Sequence, residues 1–337
     1  MRKVILTVGA FVVFGLGWFA KIIYDLYSYN KPISQTSKKT LQKPFDKYTF
    51  DSLSRIGVKK GKFEMDIQLA KTNEYVSYLF RFHFNPNLDG KEIKETEGQI
   101  NLPSSVDENT YPVVLLFRGY INQETYKVGD GTRNAAGFFA KNGFITLAPD
   151  FLGYGGSDEE AGNIFESRFQ TYVTAISLVK SLDQIPQWDQ KNVFIWGHSN
   201  GGQIALTTLE ITGVNYPTTL WAPVSKPFPY SVLYYTDDSI DRGKLIRSEL
   251  AKFEEVYDVE AYSLTNYLEN IEAPLLVHQG KSDDAIPLDW TNNLVQKLED
   301  KGKNVTYYTY PATDHNMRPS WDMVIARDLE FFKKHSR

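Results

Sequence analysis

Ser199 stands in the run Ile195-Trp196-Gly197-His198-Ser199-Asn200-Gly201-Gly202, a Gly-x-Ser-x-Gly pattern. A serine hydroxyl is a weak nucleophile until a neighbouring base takes its proton, and it must also be held clear of the backbone around it. The apolar residues Val193-Phe194-Ile195-Trp196 read as a short buried strand, and Gln203-Ile204-Ala205-Leu206 has helical composition. A strand–turn–helix is the setting in which a serine is pushed out above a sheet. Gly197 and Gly201 let strand and helix approach closely, and the helix N-terminus offers N–H groups to a developing negative charge. A serine that only caps an ordinary helix is the plainer alternative; the strand before it and the residues downstream speak against it.

Two later stretches supply what such a serine needs. After an apolar run at 275–278 comes Gly280-Lys281-Ser282-Asp283-Asp284-Ala285-Ile286-Pro287, and after another at 305–310 comes Pro311-Ala312-Thr313-Asp314-His315-Asn316. His315 is a base that could move the serine proton, and a carboxylate from the Asp283-Asp284 pair would fix its tautomer. Singly, the aspartates are turn residues and the histidine a loop residue. Jointly, in the order serine, acid, histidine and each just past a strand, they make one site. His198 and His278 read as structural histidines, and Asp150 as a loop organiser.

The elements that must carry these positions follow from periodicity. From residue 111 apolar strands (113–117, 144–148, 193–196, 219–221, 275–278, 305–310) alternate with amphipathic helices (134–141, which Thr132 could cap, 165–182, 201–211, 245–257, 290–298, 321–332). In the helix at 165–182, Phe165, Phe169, Tyr172, Val173, Ile176, Val179 and Leu182 share one face. Such a chain predicts an α/β fold, a mostly parallel central sheet with helices on both faces and its chemistry at the carboxyl ends of the strands. Upstream, a short helix is expected at 50–56 and extended segments at 63–69, 76–84 and 98–102. There Phe80, Phe82 and Phe84 alternate with Arg81 and His83 as in half-buried antiparallel edge strands. The Tyr- and Phe-rich stretch at about 223–270 predicts a small cap over the site.

From about residue 63 to its end the chain resembles an α/β-hydrolase of the prolyl oligopeptidase-like serine hydrolase group. The matching segments are Ala148-Pro149-Asp150-Phe151-Leu152-Gly153-Tyr154-Gly155-Gly156-Ser157, the 197–202 turn, Leu276-Val277-His278-Gln279-Gly280-Lys281-Ser282-Asp283-Asp284-Ala285-Ile286-Pro287 and Tyr310-Pro311-Ala312-Thr313-Asp314-His315. The resemblance implies a serine hydrolase that cleaves ester or peptide bonds through an acyl-enzyme and uses no cofactor. It implies Ser199 as nucleophile, His315 as base and Asp283, rather than Asp284, as acid. Asn200, next after the nucleophile, is the implied source of one oxyanion N–H, and the loop after 113–117 of the other. Where the family usually has His-Gly and a variable residue, this chain has Phe117-Arg118-Gly119-Tyr120. Tyr120 is then the implied second donor, through its backbone N–H or its hydroxyl, and Arg118 is a departure for which a salt-bridged loop residue is one of two readings. Residues 125–133 also resemble loop sequence of the family, with Tyr126 and Arg133 expected to hold that loop rather than touch substrate. Only about 110 residues precede the first core strand, too few for the β-propeller of the larger relatives. The rival reading from another class is a membrane-tethered binding protein of this fold that does no chemistry, against which the complete triad speaks.

At 337 residues, 42% hydrophobic and 14% aromatic, the chain can bury a sizeable core, and a net charge of −4 gives no basic field for nucleic acid. The absence of cysteine excludes disulfides, thiolate catalysis and cysteine metal sites. No His-x-x-x-His pair, carboxylate cluster or lysine-bearing glycine loop suggests a metal or phosphate site. At the start, Met1-Arg2-Lys3 precedes residues 4–20, 17 residues without a charge. This predicts an uncleaved membrane anchor, or a signal peptide, over 1–29. A linker at 30–47 with Pro32 and Pro44 and a hydrolase domain at 48–337 follow. The expected placement is membrane-anchored with the catalytic domain outside the cytoplasm, or secreted if the segment is cleaved. The expected partners are a small ester or peptide substrate and the membrane.

Overall fold

The computed structural model describes residues 43–104, 110–236 and 241–337. Among them one sheet has nine strands in the order β1-β2-β3-β5-β4-β6-β7-β8-β9. Three strands, β1 (Lys62–Lys71), β2 (Tyr75–Phe84) and β3 (Lys94–Pro103), form an antiparallel edge that joins β5 (Ile145–Pro149). From β5 onward every pairing is parallel, through β4 (Tyr111–Phe117), β6 (Trp188–His198), β7 (Thr218–Trp221), β8 (Leu275–Gly280) and β9 (Val305–Tyr310).

Side chains alternate across the pleat, which sends each strand's residues into two cores. Val113, Leu115 and Phe117 of β4 enter one, with Phe169 and Ile176 of the helix Ile164–Lys180 (α3) and Ile204 of Asn200–Thr212 (α4). The helices Phe50–Ile56 (α1) and Arg133–Lys141 (α2) precede these two in the chain. Val114 and Leu116 enter the other core, with Phe139 of α2, Phe194 and Trp196 of β6 and Phe332 of the last helix. Each fully buried Val, Leu or Phe stabilises the fold by about 1.5–3 kcal/mol over its exposed state. Between β7 and β8 in the chain come Tyr230–Leu233 (α5) and Lys244–Glu254 (α6), and Phe253 of α6 packs on Phe165 and Phe169 of α3. Parallel strands apolar on both faces need helices on both sides, and Leu288–Asp300 (α7) and Trp321–His335 (α8) supply two more against β8.

Several local expectations shift. Thr132 sits at the N-cap of α2, but its hydroxyl bonds the carbonyl of Gly129 (3.2 Å) and caps nothing. The helix expected to end at 182 stops at Lys180, and that expected to reach 257 stops at Glu254. Phe45, within the expected linker, stacks on Phe253 with ring centroids 6.0 Å apart and packs on Tyr257 at 5.4 Å.

The membrane expectation is corrected. Among the described residues no helix is long and apolar enough to cross a membrane. The longest described helix, α3, has 17 residues and carries Glu166, Arg168 and Lys180. At about 1.5 Å per residue it falls short of a hydrocarbon core of about 30 Å. The predicted anchor over 1–29 lies outside the described residues. The membrane as a partner and the anchored extracytoplasmic placement are therefore set aside; the secreted alternative rested on the same segment outside the described residues.

What this fold does for the site is a matter of register. Phe117 pairs with Gly197, His198 with Trp221, Trp221 with His278 and Gly280 with Tyr310. The turns that follow β4, β6, β8 and β9 thus open along one edge of the sheet.

Candidate active site

Ser199 caps α4 with φ 56° and ψ −119°, a left-handed conformation that is costly for a residue with a Cβ. Its backbone is pinned on both sides. The N–H donates to the carbonyl of Trp221 (2.8 Å), and the carbonyl accepts from Gly202 and Val224 (3.0 Å each). A Cβ on Gly197 would lie 2.6 Å from the carbonyl oxygen of Gly201, and one on Gly201 would land on the carbonyl of Phe117. Both glycines are therefore required by close backbone contact. Ser199 is half-buried, and its hydroxyl makes no hydrogen bond among the described residues.

Asp283 and His315 are brought together. His315 Nδ1 donates to Asp283 Oδ2 at 2.9 Å, which leaves Nε2 as the basic nitrogen. The Asp283 side chain is fully buried and that of His315 is 16% exposed. Asp283 also accepts from Gln279 Nε2 (2.9 Å) and from the N–H groups of Ala285 (2.9 Å) and Ile286 (2.8 Å). Burial pushes its carboxyl up, but the hydrogen bond and charge of His315, with the two backbone donors, outweigh burial and hold it below its ordinary value. Asp284 is exposed. The loops that carry Asp283 and His315 are joined by a bond from Ser282 N–H to the carbonyl of Thr313 (3.0 Å). Asp314 Oδ1 accepts from Asn316 (2.9 Å) and Arg318 (2.8 Å), which folds the chain tightly around His315.

His198 ties this loop to the serine turn. Its Nε2 donates to the backbone carbonyl of His315 (2.9 Å), and the two rings lie 4.7 Å apart. Burial, reinforced by His315, lowers its pKa to about 3, so it stays neutral beside the His315 ring. The structure therefore brings Asp283 and His315 into contact and seats the His315 loop on the residue before Ser199. It forms no Ser199–His315 hydrogen bond; such bonds often tighten only with substrate in place.

The two expected oxyanion residues flank the serine. Asn200 is the first residue of α4, where a backbone N–H has no partner within the helix. On the facing loop, a Cβ on Gly119 would stand 3.0 Å from the Cβ of Ser199, which puts the 118–120 turn directly against Ser199. Tyr120 follows it, 41% exposed.

Arg118 does not follow the salt-bridged reading. Its guanidinium is buried and donates to the carbonyls of Gly119 (3.0 Å) and Asp150 (2.7 Å). It lies over the rings of Tyr154 (3.7 Å) and Tyr126 (4.9 Å). Tyr126 donates to Asp150 Oδ1, and burial raises the Asp150 carboxyl to about 6 against that bond. Arg133 pairs with Asp130 at 3.0 Å and bonds the carbonyl of Val128 at 2.8 Å. Tyr126 and Arg133 thus hold loops, as expected, and Asp150 organises one. His278 is a core histidine, bonded through Nδ1 to Tyr310 (2.7 Å) and through Nε2 to Asp328 (2.9 Å). Among the described residues no cluster of three or more His, Asp or Glu could hold a metal ion.

Residues 131–337 match the pattern of the prolyl oligopeptidase family. The chain belongs to that family. It is accordingly an enzyme of the serine hydrolase type. Relatives include the uncharacterised peptidase YtmA of Bacillus subtilis, 25% identical over 200 residues, 58% of this chain and 74% of that protein. The acetyl esterase Axe7A of Xylanibacter ruminicola is 25% identical over 173 residues, 44% of this chain but 38% of its own length. A putative dipeptidyl aminopeptidase of Schizosaccharomyces pombe is 27% identical over 190 residues, 21% of its length. The chain thus spans well under half of the latter two. The α/β-hydrolase fold recurs in solved structures. The acetyl xylan esterase of a Paenibacillus species has a TM-score of 0.66 at 18% identity, covering 89% of this chain and 99% of that one. The acylaminoacyl peptidase of Pyrococcus horikoshii has 0.53 at 17%, covering 82% and 50%.

Set beside the family, the residues missed from sequence are supporting ones. Gln279 is fully buried; its amide donates to Asp283 and its carbonyl accepts from Thr291 (2.7 Å). Its place beside Gly280 in the quoted run was the only available signal. The role of His198 as a strut against His315 depends on a contact 117 residues away in sequence.

Proposed function

We propose that this enzyme hydrolyses small ester or peptide substrates through an acyl-enzyme on Ser199. His315 takes the hydroxyl proton as Ser199 Oγ bonds the substrate's carbonyl carbon. The N–H groups of Asn200 and Tyr120 receive the negative charge on the carbonyl oxygen. The carbon–leaving-group bond then breaks, and the leaving oxygen or nitrogen takes the proton back from His315. Water attacks the acyl-enzyme with the same base, releasing the acid and restoring Ser199. Asp283 stays ionised throughout and fixes the tautomer of His315.

The observation that carries this reading is a serine held at φ 56° beside a loop whose histidine donates to a buried aspartate at 2.9 Å. A strained serine has no structural use in capping a helix, and it makes no capping bond. The test is labelling of the purified protein with a fluorophosphonate, followed by a panel of acyl esters and peptide amides. Label on Ser199 with turnover of an ester or amide is expected. A protein that takes no label and turns over neither class would sink the proposal.

A further inference from the structure

Residues between 226 and 247, with Trp290 of α7, line a pocket that hydrogen bonds join to the loops of this site. A cavity of about 610 Å³ is lined by Lys226, Tyr230, Tyr234, Arg247 and Trp290, among others. It is tied to the nucleophile and to the acid. On one side, Val224 N–H bonds the carbonyl of Ser199 (3.0 Å), and the next residue, Ser225, bonds the carbonyl of Trp290 (3.0 Å). On the other, the Tyr235 hydroxyl bonds the carbonyl of Ala285 (3.3 Å), whose own N–H holds Asp283. Behind it, Arg168 reaches both Gln203 of α4 and the Ser231 hydroxyl (3.4 Å).

Two features of the lining stand out. Tyr230 and Tyr234 are 63% and 49% exposed, unusual for rings that a core could have taken. Tyr234 meets Trp290 edge to face at 4.6 Å, so its ring is fixed and presents a rigid flat surface. Lys226 is half-buried with its ammonium 5.6 Å from the centre of the Trp290 ring. No carboxylate among the described residues lies within ion-pair distance of it. An ammonium over an aromatic face is satisfied only in part by the ring, and an incoming anion would complete it.

We propose that this pocket is the specificity subsite, and that it selects esters or amides whose acyl or leaving group is an aryl ring bearing a carboxylate. The ring lies on the tyrosines and the carboxylate meets Lys226. This rests on the reading of Ser199 as the nucleophile.

Two matched ester pairs test it, each a carboxylate against its methyl ester. They are 4-acetoxybenzoate, with the charge on the leaving group, and mono(4-nitrophenyl) terephthalate, with the charge on the acyl group. In at least one pair the wild-type kcat/KM should favour the carboxylate, by about 10-fold at low salt, as expected for one charge-assisted hydrogen bond. Lys226→Met should abolish that ratio, Lys226→Glu should invert it and Lys226→Arg should keep it. Because the readout is a ratio, partial misfolding of a variant cancels. Equal handling of both members of both pairs by the wild type overturns the proposal, as does a ratio that Lys226→Met leaves unmoved. So does turnover of none of the four esters by a protein whose Ser199 still takes the fluorophosphonate. Loss of label and turnover together is the failure of the serine hydrolase reading instead.

Discussion

At the scale of single residues, the buried carboxylate does the least visible work. Asp283 receives four hydrogen bonds, while its neighbour Asp284 is exposed. Asp283→Asn would put an amide opposite His315 Nδ1 and favour the wrong tautomer. Turnover should fall on the order of ten thousand-fold, while Asp284→Asn should cost little. Reversal of the two effects in kcat/KM would show that the acid has been misassigned. Ser199→Ala should fold normally and lose roughly four to six orders of magnitude in kcat; near-wild-type turnover by the pure variant would remove Ser199 from the mechanism. Gln279 acts through Asp283. Its amide and His315 donate to the same oxygen, so Gln279→Met should raise the Asp283 carboxyl and strand the Thr291 hydroxyl. The acid limb of the kcat/KM profile should then move while KM changes little. An unmoved limb would leave Gln279 a packing residue.

At the scale of elements, the site depends on how closely α4 can approach β4. Gly201→Ala would drive a methyl group into the Phe117 carbonyl. Even a partial retreat of the helix costs about 1–3 kcal/mol and moves Ser199 away from the 118–120 turn. Fluorophosphonate labelling should slow more than the melting temperature falls, and labelling at the wild-type rate would contradict this picture of the turn. These elements were legible because their signals are local. Apolar runs bounded by Gly and Pro gave β4 to β9, with β9 matched end to end, and the Gly-x-Ser-x-Gly run gave the join of β6 to α4. The 118–120 loop was not legible in the same way. Arg118 draws on Tyr154 and Asp150, more than 30 residues on, and no periodicity reports such a cage. The membrane anchor rested on Met1-Arg2-Lys3 and the apolar run at 4–20, which lie outside the described residues.

At the scale of the whole molecule, one group works against the fold. Glu210 lies on α4 inside the protein, and among the described residues neither carboxylate oxygen has a hydrogen-bond partner. Burial, with the charge of Glu269 adding to it, raises its pKa well above the ordinary carboxylate value. The folded protein therefore keeps this proton to a higher pH than the unfolded chain, where the group titrates at about 4.3. Above that pH unfolding releases a proton, so the contribution of Glu210 to stability declines as pH rises through the window up to its folded value. Methionine has a similar volume and no charge to desolvate. Glu210→Met should gain about 1–3 kcal/mol from the unsatisfied group alone, and its advantage over the wild type should widen between pH 5 and alkaline pH. Asp283 responds in the opposite sense: its lowered carboxyl stabilises the fold above the unfolded aspartate value of about 3.9, and that contribution is lost as pH falls through the folded value. It is common to both proteins and cancels in the difference. Urea melts of the two proteins across pH are the measurement. A stability gap that does not change with pH, or a variant less stable than the wild type at pH 8, would mean that Glu210 has a partner or a solvent path in solution.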